Sequence, residues 1–235
     1  MERPPALRLQ MIKRPIVSES AAAAKATPAA DAGRPPLPLV GATFETGATA
    51  LSQLPTDGAP EVAFAGRSNS GKSSAINALA RQTRLAFASR TPGRTQMINF
   101  FRLRGGARIA DLPGYGYAAV PRALKKDWQD FLWTYVTTRT SLVGLVLVVD
   151  ARHGLRTMDE QLLGGFLPSG RPVLILATKV DKLNQAERRA AVASIERRLR
   201  EVSPGQASAV GVIPFSVPSR LGIEAADAAI APWIA

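Results

Sequence analysis

The residues with the clearest chemical potential form one run, Gly-Arg-Ser-Asn-Ser-Gly-Lys-Ser, at positions 66–73. Its spacing fits G-x-x-x-x-G-K-[ST], a loop whose backbone N–H groups surround a phosphate. Lys72 would add a full positive charge, and the Ser73 hydroxyl suits Mg²⁺. The run therefore predicts binding of a nucleoside triphosphate. The expected nucleotide contacts here are Gly66, Arg67, Ser68, Asn69, Ser70, Gly71, Lys72, Ser73 and Ser74.

A second polar segment, Thr-Pro-Gly-Arg-Thr-Gln at positions 91–96, lies between the phosphate loop and Asp111. We expect one of its threonines to ligate Mg²⁺ and contact that phosphate. Thr95 is the first candidate because it stands immediately before a predicted strand, and Thr91 is the alternative. The predicted nucleotide contacts of this segment are Gly93, Arg94, Thr95, Gln96 and Met97.

The third segment, Asp111-Leu112-Pro113-Gly114, follows a short apolar strand. A carboxylate at the end of a buried strand can hold Mg²⁺, usually through water, so Asp111 is predicted as a metal ligand. The N–H of Gly114 can reach a γ-phosphate. D-x-x-G is a weak signal by itself, and it gains meaning from its place after the phosphate loop.

The fourth segment, Thr178-Lys179-Val180-Asp181, predicts the base. The Asp181 carboxylate can accept hydrogen bonds from the N1–H and amino group of guanine, whereas adenine would leave it unpaired. The Lys179 stem can pack over the base plane. Phe215, Ser216 and Val217 follow the next strand and could contact the guanine carbonyl, although an ordinary strand exit explains them equally well. An ATPase or small-molecule kinase is the competing reading, and it gives no reason for Asp181.

These segments can form one site if the strands that precede them are parallel, because the carboxyl ends of those strands then lie at the same edge of a sheet. Apolar runs predict six strands, at residues 61–65, 97–103, 107–111, 142–150, 172–178 and 210–215. Helical patterns fall between them, at residues 72–82, 121–139, 157–167, 185–202 and 223–233. Repeated βα units predict an α/β P-loop NTPase fold, with a mostly parallel six-stranded sheet, one antiparallel strand, and helices on both faces. Residues 1–40 read as a flexible tail and residues 41–235 as the nucleotide-binding domain.

The composition adds limits. The chain has 235 residues, no cysteine and a formal charge of +12, so disulfides and thiol chemistry are excluded and a reducing cytoplasm fits. No apolar run reaches membrane-spanning length. Residues 62–110 carry nine basic residues and no acidic one, which leaves open a surface for a nucleic acid or a mere bias toward arginine.

The four segments together resemble the EngB/YihA/YsxC-type ribosome-biogenesis GTP-binding proteins, within the TrmE-Era-EngA-EngB-septin-like superfamily. The most diagnostic stretch is Asp-Leu-Pro-Gly-Tyr-Gly-Tyr-Ala at positions 111–118. The resemblance covers residue 44 to the end of the chain, and Ser216-Val217-Pro218 departs slightly from the usual small residues there.

The resemblance implies a cytoplasmic, monomeric GTPase that binds GTP and GDP with Mg²⁺ and assists assembly of the large ribosomal subunit, with ribosomal RNA as partner. It also implies a part in division septum formation. Asn69 stands where related GTPases help hold K⁺, or it simply stabilises the loop turn. A scaffold in septation with negligible turnover is the alternative function.

Catalysis should rest on positioning and charge, through Lys72, Thr95 and Gly114. Many small GTPases place a glutamine after D-x-x-G to orient water, but this chain has Tyr115. His153, the single histidine, is a weak candidate for a base. We therefore expect slow intrinsic hydrolysis.

Overall fold

A computed structural model describes residues 38–87, 97–116, 122–206 and 210–235, with backbone only for residues 122–129. Within them, seven strands are present: β1 (Thr43–Ala48), β2 (Glu61–Gly66), β3 (Ile98–Arg102), β4 (Arg108–Asp111), β5 (Leu142–Asp150), β6 (Val173–Thr178) and β7 (Val210–Pro214). Five α-helices accompany them: α1 (Lys72–Leu79), α2 (Arg122–Thr138), α3 (Thr157–Phe166), α4 (Gln185–Val202) and α5 (Ile223–Ile230).

The strands form one sheet in the order β1-β3-β4-β2-β5-β6-β7. β3 runs antiparallel to both of its neighbours, while β4, β2, β5, β6 and β7 are mutually parallel. The reversal at β3 is a short turn between Leu103 and Ala107, in which Gly106 has a φ of +88° that favours glycine. The parallel neighbours are joined by longer crossover connections, as parallel strands require.

Alternation along the central strands divides the apolar residues between two cores. On β5, Leu145 and Leu147 face a core shared with α2, α3 and α4. Val146 and Val148 face the opposite core, shared with α1 and α5. Helices therefore cover both faces of a mostly parallel sheet, which confirms the predicted fold class. No helix within the described ranges combines the length and apolarity needed to cross a bilayer.

The predicted strand count was wrong, because the sheet has seven strands rather than six. β1 was missed because it is an edge strand whose first three residues are exposed, so no buried apolar run marks it. Backbone pairing with β3 holds it in place, with Thr43 opposite Arg102 and Ala48 opposite Ile98. The single antiparallel strand was predicted correctly.

A buried arginine also anchors β1. The Arg108 side chain is only 2% exposed and pairs with Glu45 of β1 at 2.8 Å and with Asp57 at 2.6 Å. The Arg108 hydrogen bond lowers the pKa of Glu45, so the pair stays ionised near neutrality. This network lies where the parallel strands begin, at the end of the sheet opposite their carboxyl termini.

Most of the predicted tail, residues 1–37, lies outside the described residues. Leu39, within the last part of the predicted tail, is fully buried in the core that contains α1 and α5. Residues 38–40 are therefore packed against that core.

Candidate nucleotide-binding site

The phosphate loop connects the end of β2 to the first residue of α1. Two of its residues adopt left-handed backbone conformations, Asn69 with φ +66° and Gly71 with φ +97°. A Cβ on Gly66 would lie 2.6 Å from the Val148 carbonyl oxygen, so glycine is required for the close approach to β5. The loop therefore curls back at the N-terminus of α1, the geometry that gathers backbone N–H groups around an anion.

Lys72 and Asp111 form an ion pair beside this loop. Asp111 ends β4 and is almost completely buried, while Lys72 begins α1. The pair shows that the carboxylate of Asp111 lies within reach of a cation at the phosphate loop. Ser73 follows in the first turn of α1. This donor set fits Mg²⁺, which commonly takes one carboxylate, a hydroxyl, phosphate oxygens and water.

The segment after β4 runs alongside the phosphate loop. The N–H of Ser68 donates to the Tyr115 carbonyl at 2.9 Å, and the N–H of Tyr115 donates to the Gly66 carbonyl at 3.3 Å. A Cβ on Gly114 would stand 3.1 Å from Ser68 Oγ. Leu112 and Pro113 are buried, so the segment has little freedom before Gly114. Gly114 therefore packs directly against the phosphate loop.

The side chain of Tyr115 points away from this contact and into the core. Its hydroxyl donates a 2.6 Å hydrogen bond to Oδ1 of Asp159, in the first turn of α3. The other oxygen, Oδ2, accepts from the N–H of Arg156 at 2.9 Å. Burial raises the pKa of Tyr115 well above 10.0, and burial also raises the pKa of Asp159. Sequence reasoning missed Asp159, because no motif surrounds it.

Thr178 and Lys179 join the end of β6 to the phosphate loop. Thr178 Oγ1 lies 2.5 Å from the Ser70 carbonyl oxygen and is buried. Lys179 Nζ donates to the Asn69 carbonyl at 2.5 Å. Lys179 has a φ of +60°, a conformation that aims its side chain back over the loop. The base-recognition segment and the phosphate loop are thus parts of one structure.

Asp150, at the carboxyl end of β5, was also missed by sequence reasoning. Its carboxylate pairs with Lys179 at 3.0 Å and accepts two bonds from the Arg152 guanidinium, at 2.9 and 2.7 Å. Burial raises the pKa of Asp150, but these hydrogen bonds outweigh it and hold the pKa well below 3.8. The available signal was its position, an acid at the end of a buried parallel strand.

Asp181 and Ser216 meet at the far end of the site. Ser216 Oγ donates to Asp181 Oδ1 at 2.8 Å, which lowers the pKa of Asp181. Phe215 is fully buried, and its N–H donates to the Ala177 carbonyl of β6 at 2.8 Å. Val217, by contrast, is 37% exposed beside them. Ser216, which the sequence predicted as a contact of the guanine carbonyl, therefore lies directly beside Asp181.

A cavity of about 260 Å³ adjoins the phosphate loop on the side of β5 and α3. Its walls include Ser68, Asn69, Asp150, His153 and Lys179. His153 is thus near the loop but makes its described contact through the backbone, its N–H donating to the Asp150 carbonyl at 2.9 Å.

Some predicted site residues cannot be placed. Gly93, Arg94, Thr95 and Gln96, with the alternative Thr91, lie outside the described residues. Met97 precedes β3, and its sulfur packs on Gly47 of β1. Val180 is buried, with its N–H 3.5 Å from the Phe215 carbonyl, and Ser74 is in the first turn of α1.

The fold and this loop set define a P-loop GTPase domain. Residues 61–179 match the family model described as "50S ribosome-binding GTPase". The chain is 48% identical over 193 residues to the "Probable GTP-binding protein EngB" of Aromatoleum aromaticum, covering 82% of this chain and 88% of that protein. It is 46% identical over 200 residues to the protein of the same name in Bordetella pertussis, covering 82% and 94%. The chain therefore belongs to the EngB family of GTP-binding proteins.

Solved structures agree on the fold. A crystal structure of a probable GTP-binding protein engB superposes with a TM-score of 0.58 at 21% identity, covering 74% of this chain and 98% of that one. Era in complex with MgGDPNP and a 16S ribosomal RNA segment superposes with a TM-score of 0.55, also at 21% identity, covering 74% and 56%.

Proposed function

We propose that this protein binds GTP, hydrolyses it slowly, and uses the two nucleotide states as a switch in assembly of the large ribosomal subunit. The proposal that the protein binds a nucleotide rests on the hydrogen bond from Lys179 Nζ to the Asn69 carbonyl. Through it, the segment that reads the base and the loop that holds the phosphates form one binding surface. Membership of the EngB family supports the use of GTP and GDP.

Guanine selection is assigned to Asp181. Its carboxylate is ionised and oriented by Ser216, so it can accept from the N1–H and amino group of guanine. An adenine in the same place would leave a charged group without its donors, which is costly in a partly buried site. Phe215 and Val217, the sequence neighbours of Ser216, are proposed as further contacts with the base.

Phosphate binding and catalysis are assigned to the other two segments. Lys72 neutralises phosphate charge, and Asp111 and Ser73, with Thr95, would hold Mg²⁺. That ion would supply further charge neutralisation at the β- and γ-phosphates. Gly114 would donate its N–H to the γ-phosphate. Loss of that phosphate would then release Gly114 and the segment at residues 91–96, which is the switch.

Slow hydrolysis follows from Tyr115. Its side chain is committed to Asp159 inside the core, so it does not stand where a glutamine would orient the attacking water. Charge and positioning must supply the rate. We include K⁺ at Asn69 as a source of additional charge, because Asn69 belongs to the loop to which we assign phosphate binding.

A ribosomal partner is proposed from the family description and from the net charge of +12. We propose that the protein acts as a monomer in the cytoplasm. The GTPase domain would begin at the core-packed residues 38–40 rather than at residue 41, and the residues before them would form the tail. The requirement for septation would then follow from ribosome supply. A nucleotide-stabilised scaffold acting directly in septation is the second candidate, favoured by the buried Tyr115.

Depletion of the protein followed by sucrose-gradient analysis of ribosomal particles tests the proposal. We expect free small subunits and an incomplete large-subunit particle to accumulate before any change in cell shape. Normal gradients in depleted cells that already fail to form septa would reject the proposal in favour of the scaffold.

A further inference from the structure

Three arginines without ion-pair partners among the described residues lie on the side of the sheet that carries α1. Arg81 and Arg84 follow the end of α1, and Arg104 lies in the turn between β3 and β4. All three are exposed, and none forms a salt bridge within the described ranges. Two other arginines of the same stretch, Arg102 and Arg108, are paired with carboxylates. We call Arg81, Arg84 and Arg104 the arginine face.

The backbone of residues 41–42 lies between the segment that carries Arg81 and Arg84 and the turn that carries Arg104. The Gln82 side-chain amide donates to the Ala42 carbonyl at 2.6 Å. A Cβ on the neighbouring Gly41 would lie 2.6 Å from Arg104 Nε, so the Arg104 side chain passes directly over Gly41. Residues 41–42 therefore touch both segments that carry the arginines.

The stretches that carry these arginines are themselves free of acidic residues. Residues 38–44, 62–87 and 97–110 contain no aspartate or glutamate. The exposed arginines of α4 differ in this respect, because Glu187, Glu196 and Glu201 are interspersed among them. The positive potential is thus concentrated on the arginine face.

The backbone beneath the face is fixed. The Asn77 side chain holds Ala86 through two hydrogen bonds, 2.7 Å from the Ala86 N–H and 2.9 Å to its carbonyl. Leu85 and Ala86 are buried in the core, so the chain between Arg84 and Phe87 is pinned to α1. The charges are therefore presented on an ordered surface rather than on a loose loop.

Two exposed aromatic rings accompany the arginines. Phe44 is 61% exposed and Phe87 is 73% exposed. Phe44 and Phe101 pack in a T-shaped arrangement with ring centroids 6.0 Å apart, and most of the Phe44 side chain remains in contact with solvent. Among the described residues, the other exposed aromatic is Trp133 of α2, which packs on Gly165 of α3.

We propose that the arginine face, with Phe44, binds unpaired RNA. Arginines would neutralise successive phosphates, and a base would stack on Phe44, the combination by which single strands are held. An acidic protein is a less suitable partner, because it would pair with the arginines but would offer no base to stack on Phe44. The inference rests on the ribosomal partner of the proposed function and names the surface that meets it.

The test compares two full-length variants that lose the same charge. One is Arg81→Ser/Arg84→Ser/Arg104→Ser, and the matched control on α4 is Arg189→Ser/Arg197→Ser/Arg200→Ser. Binding to a fluorescein-labelled, unstructured 20-nucleotide RNA is followed by anisotropy across a salt series. Inorganic polyphosphate and phosphatidylglycerol vesicles serve as anionic probes without stackable bases. Binding of a fluorescent GDP analogue reports that each variant is folded.

We expect the arginine-face variant to bind RNA about tenfold or more weakly at 150 mM salt, with a log–log salt slope reduced by about 2. The α4 control should change RNA affinity less than about twofold, and Phe44→Ala should weaken RNA binding but not polyphosphate binding. Equal losses in both triple variants, or binding to vesicles and polyphosphate that matches RNA, would overturn the inference while leaving the GTPase proposal intact. Wild-type protein that binds neither this RNA nor large-subunit particles would reject the ribosomal partner itself.

Discussion

The Tyr115 hydroxyl donates to the buried Asp159 carboxylate at 2.6 Å, and this bond ties the segment after β4 to the first turn of α3. Gly114 lies immediately before the anchored tyrosine. The anchor therefore limits how far Gly114 can move away from the phosphate loop. Under the proposed function, it also keeps the Tyr115 side chain out of the position in which a glutamine would act on water.

Tyr115→Phe should destabilise the protein by about 1–3 kcal/mol, because it leaves a buried carboxylate with one donor fewer. Urea unfolding measures the change. In the Asp159→Asn background, Tyr115→Phe should lower the free energy of unfolding by a smaller amount. A neutral amide loses less than a charged carboxylate when the hydrogen bond from the Tyr115 hydroxyl is removed. Equal costs in the two backgrounds would mean that the hydrogen bond to the carboxylate contributes nothing.

The Tyr115 anchor also predicts a pH dependence. The pKa of Tyr115 is raised above its ordinary 10.0, so its contribution to stability is complete below pH 10 and is lost as the pH rises through the folded-state value. The difference in unfolding free energy between wild type and Tyr115→Phe should therefore narrow above pH 10. A difference that stays constant from pH 8 to 11 would contradict the raised pKa.

Asp150→Asn should weaken GTP and GDP binding equally, by about fivefold to tenfold, because Lys179 loses the carboxylate that aims it at Asn69. Preference for guanine over xanthine should not change. The control is Arg152→Ser, which leaves the Asp150–Lys179 pair in place and should keep affinity within about twofold of wild type. A similar loss in both variants would assign the effect to Arg152 instead.

Asp111→Asn should make GTP hydrolysis need about tenfold more Mg²⁺, since a charged ligand becomes neutral. In EDTA, the variant and wild type should bind GDP with similar affinity, because the metal no longer distinguishes them. The measurement is the rate of phosphate release across a Mg²⁺ titration. An unchanged Mg²⁺ midpoint would remove Asp111 from the metal site.

Replacing Na⁺ by K⁺ should raise the hydrolysis rate modestly, and Asn69→Gly should abolish the difference. Glycine adopts a φ of +66° without strain, so this variant keeps the loop conformation and removes only the side-chain amide. Equal rates in the two salts for wild type would withdraw K⁺ from the proposal.

The sequence predicted the features that depend on local patterns. Continuous apolar runs marked the buried strands β2, β5 and β6. The segments after β2 and β6 also carry recognisable spacing, which includes Lys72 after β2 and Asp181 after β6. A strand that is buried on both faces appears in the sequence as a continuous apolar run, so it can be predicted without knowing which strands it pairs with.

The missed features depend on contacts between distant residues. Glu45 meets Arg108 across 63 positions, and Tyr115 meets Asp159 across 44. Neither member of either pair stands in a motif that names its partner. The strand β1 was not predicted for a related reason. It is an exposed edge strand that is held by backbone pairing with β3, so its sequence shows no continuous apolar run.

The most direct measurement tests whether Asp181, the proposed base-recognition residue, controls binding to the large ribosomal subunit. Wild type and Asp181→Asn are cosedimented with large-subunit precursor particles in the presence of non-hydrolysable GTP, non-hydrolysable XTP, or GDP. Exchange of the carboxylate for an amide should shift preference from guanine to xanthine by about 100-fold or more. We expect wild type to bind particles more tightly with the GTP analogue than with GDP, and Asp181→Asn to do so with the XTP analogue instead. Particle binding that is the same with every nucleotide, in both proteins, would contradict a guanine-nucleotide switch acting on the large subunit.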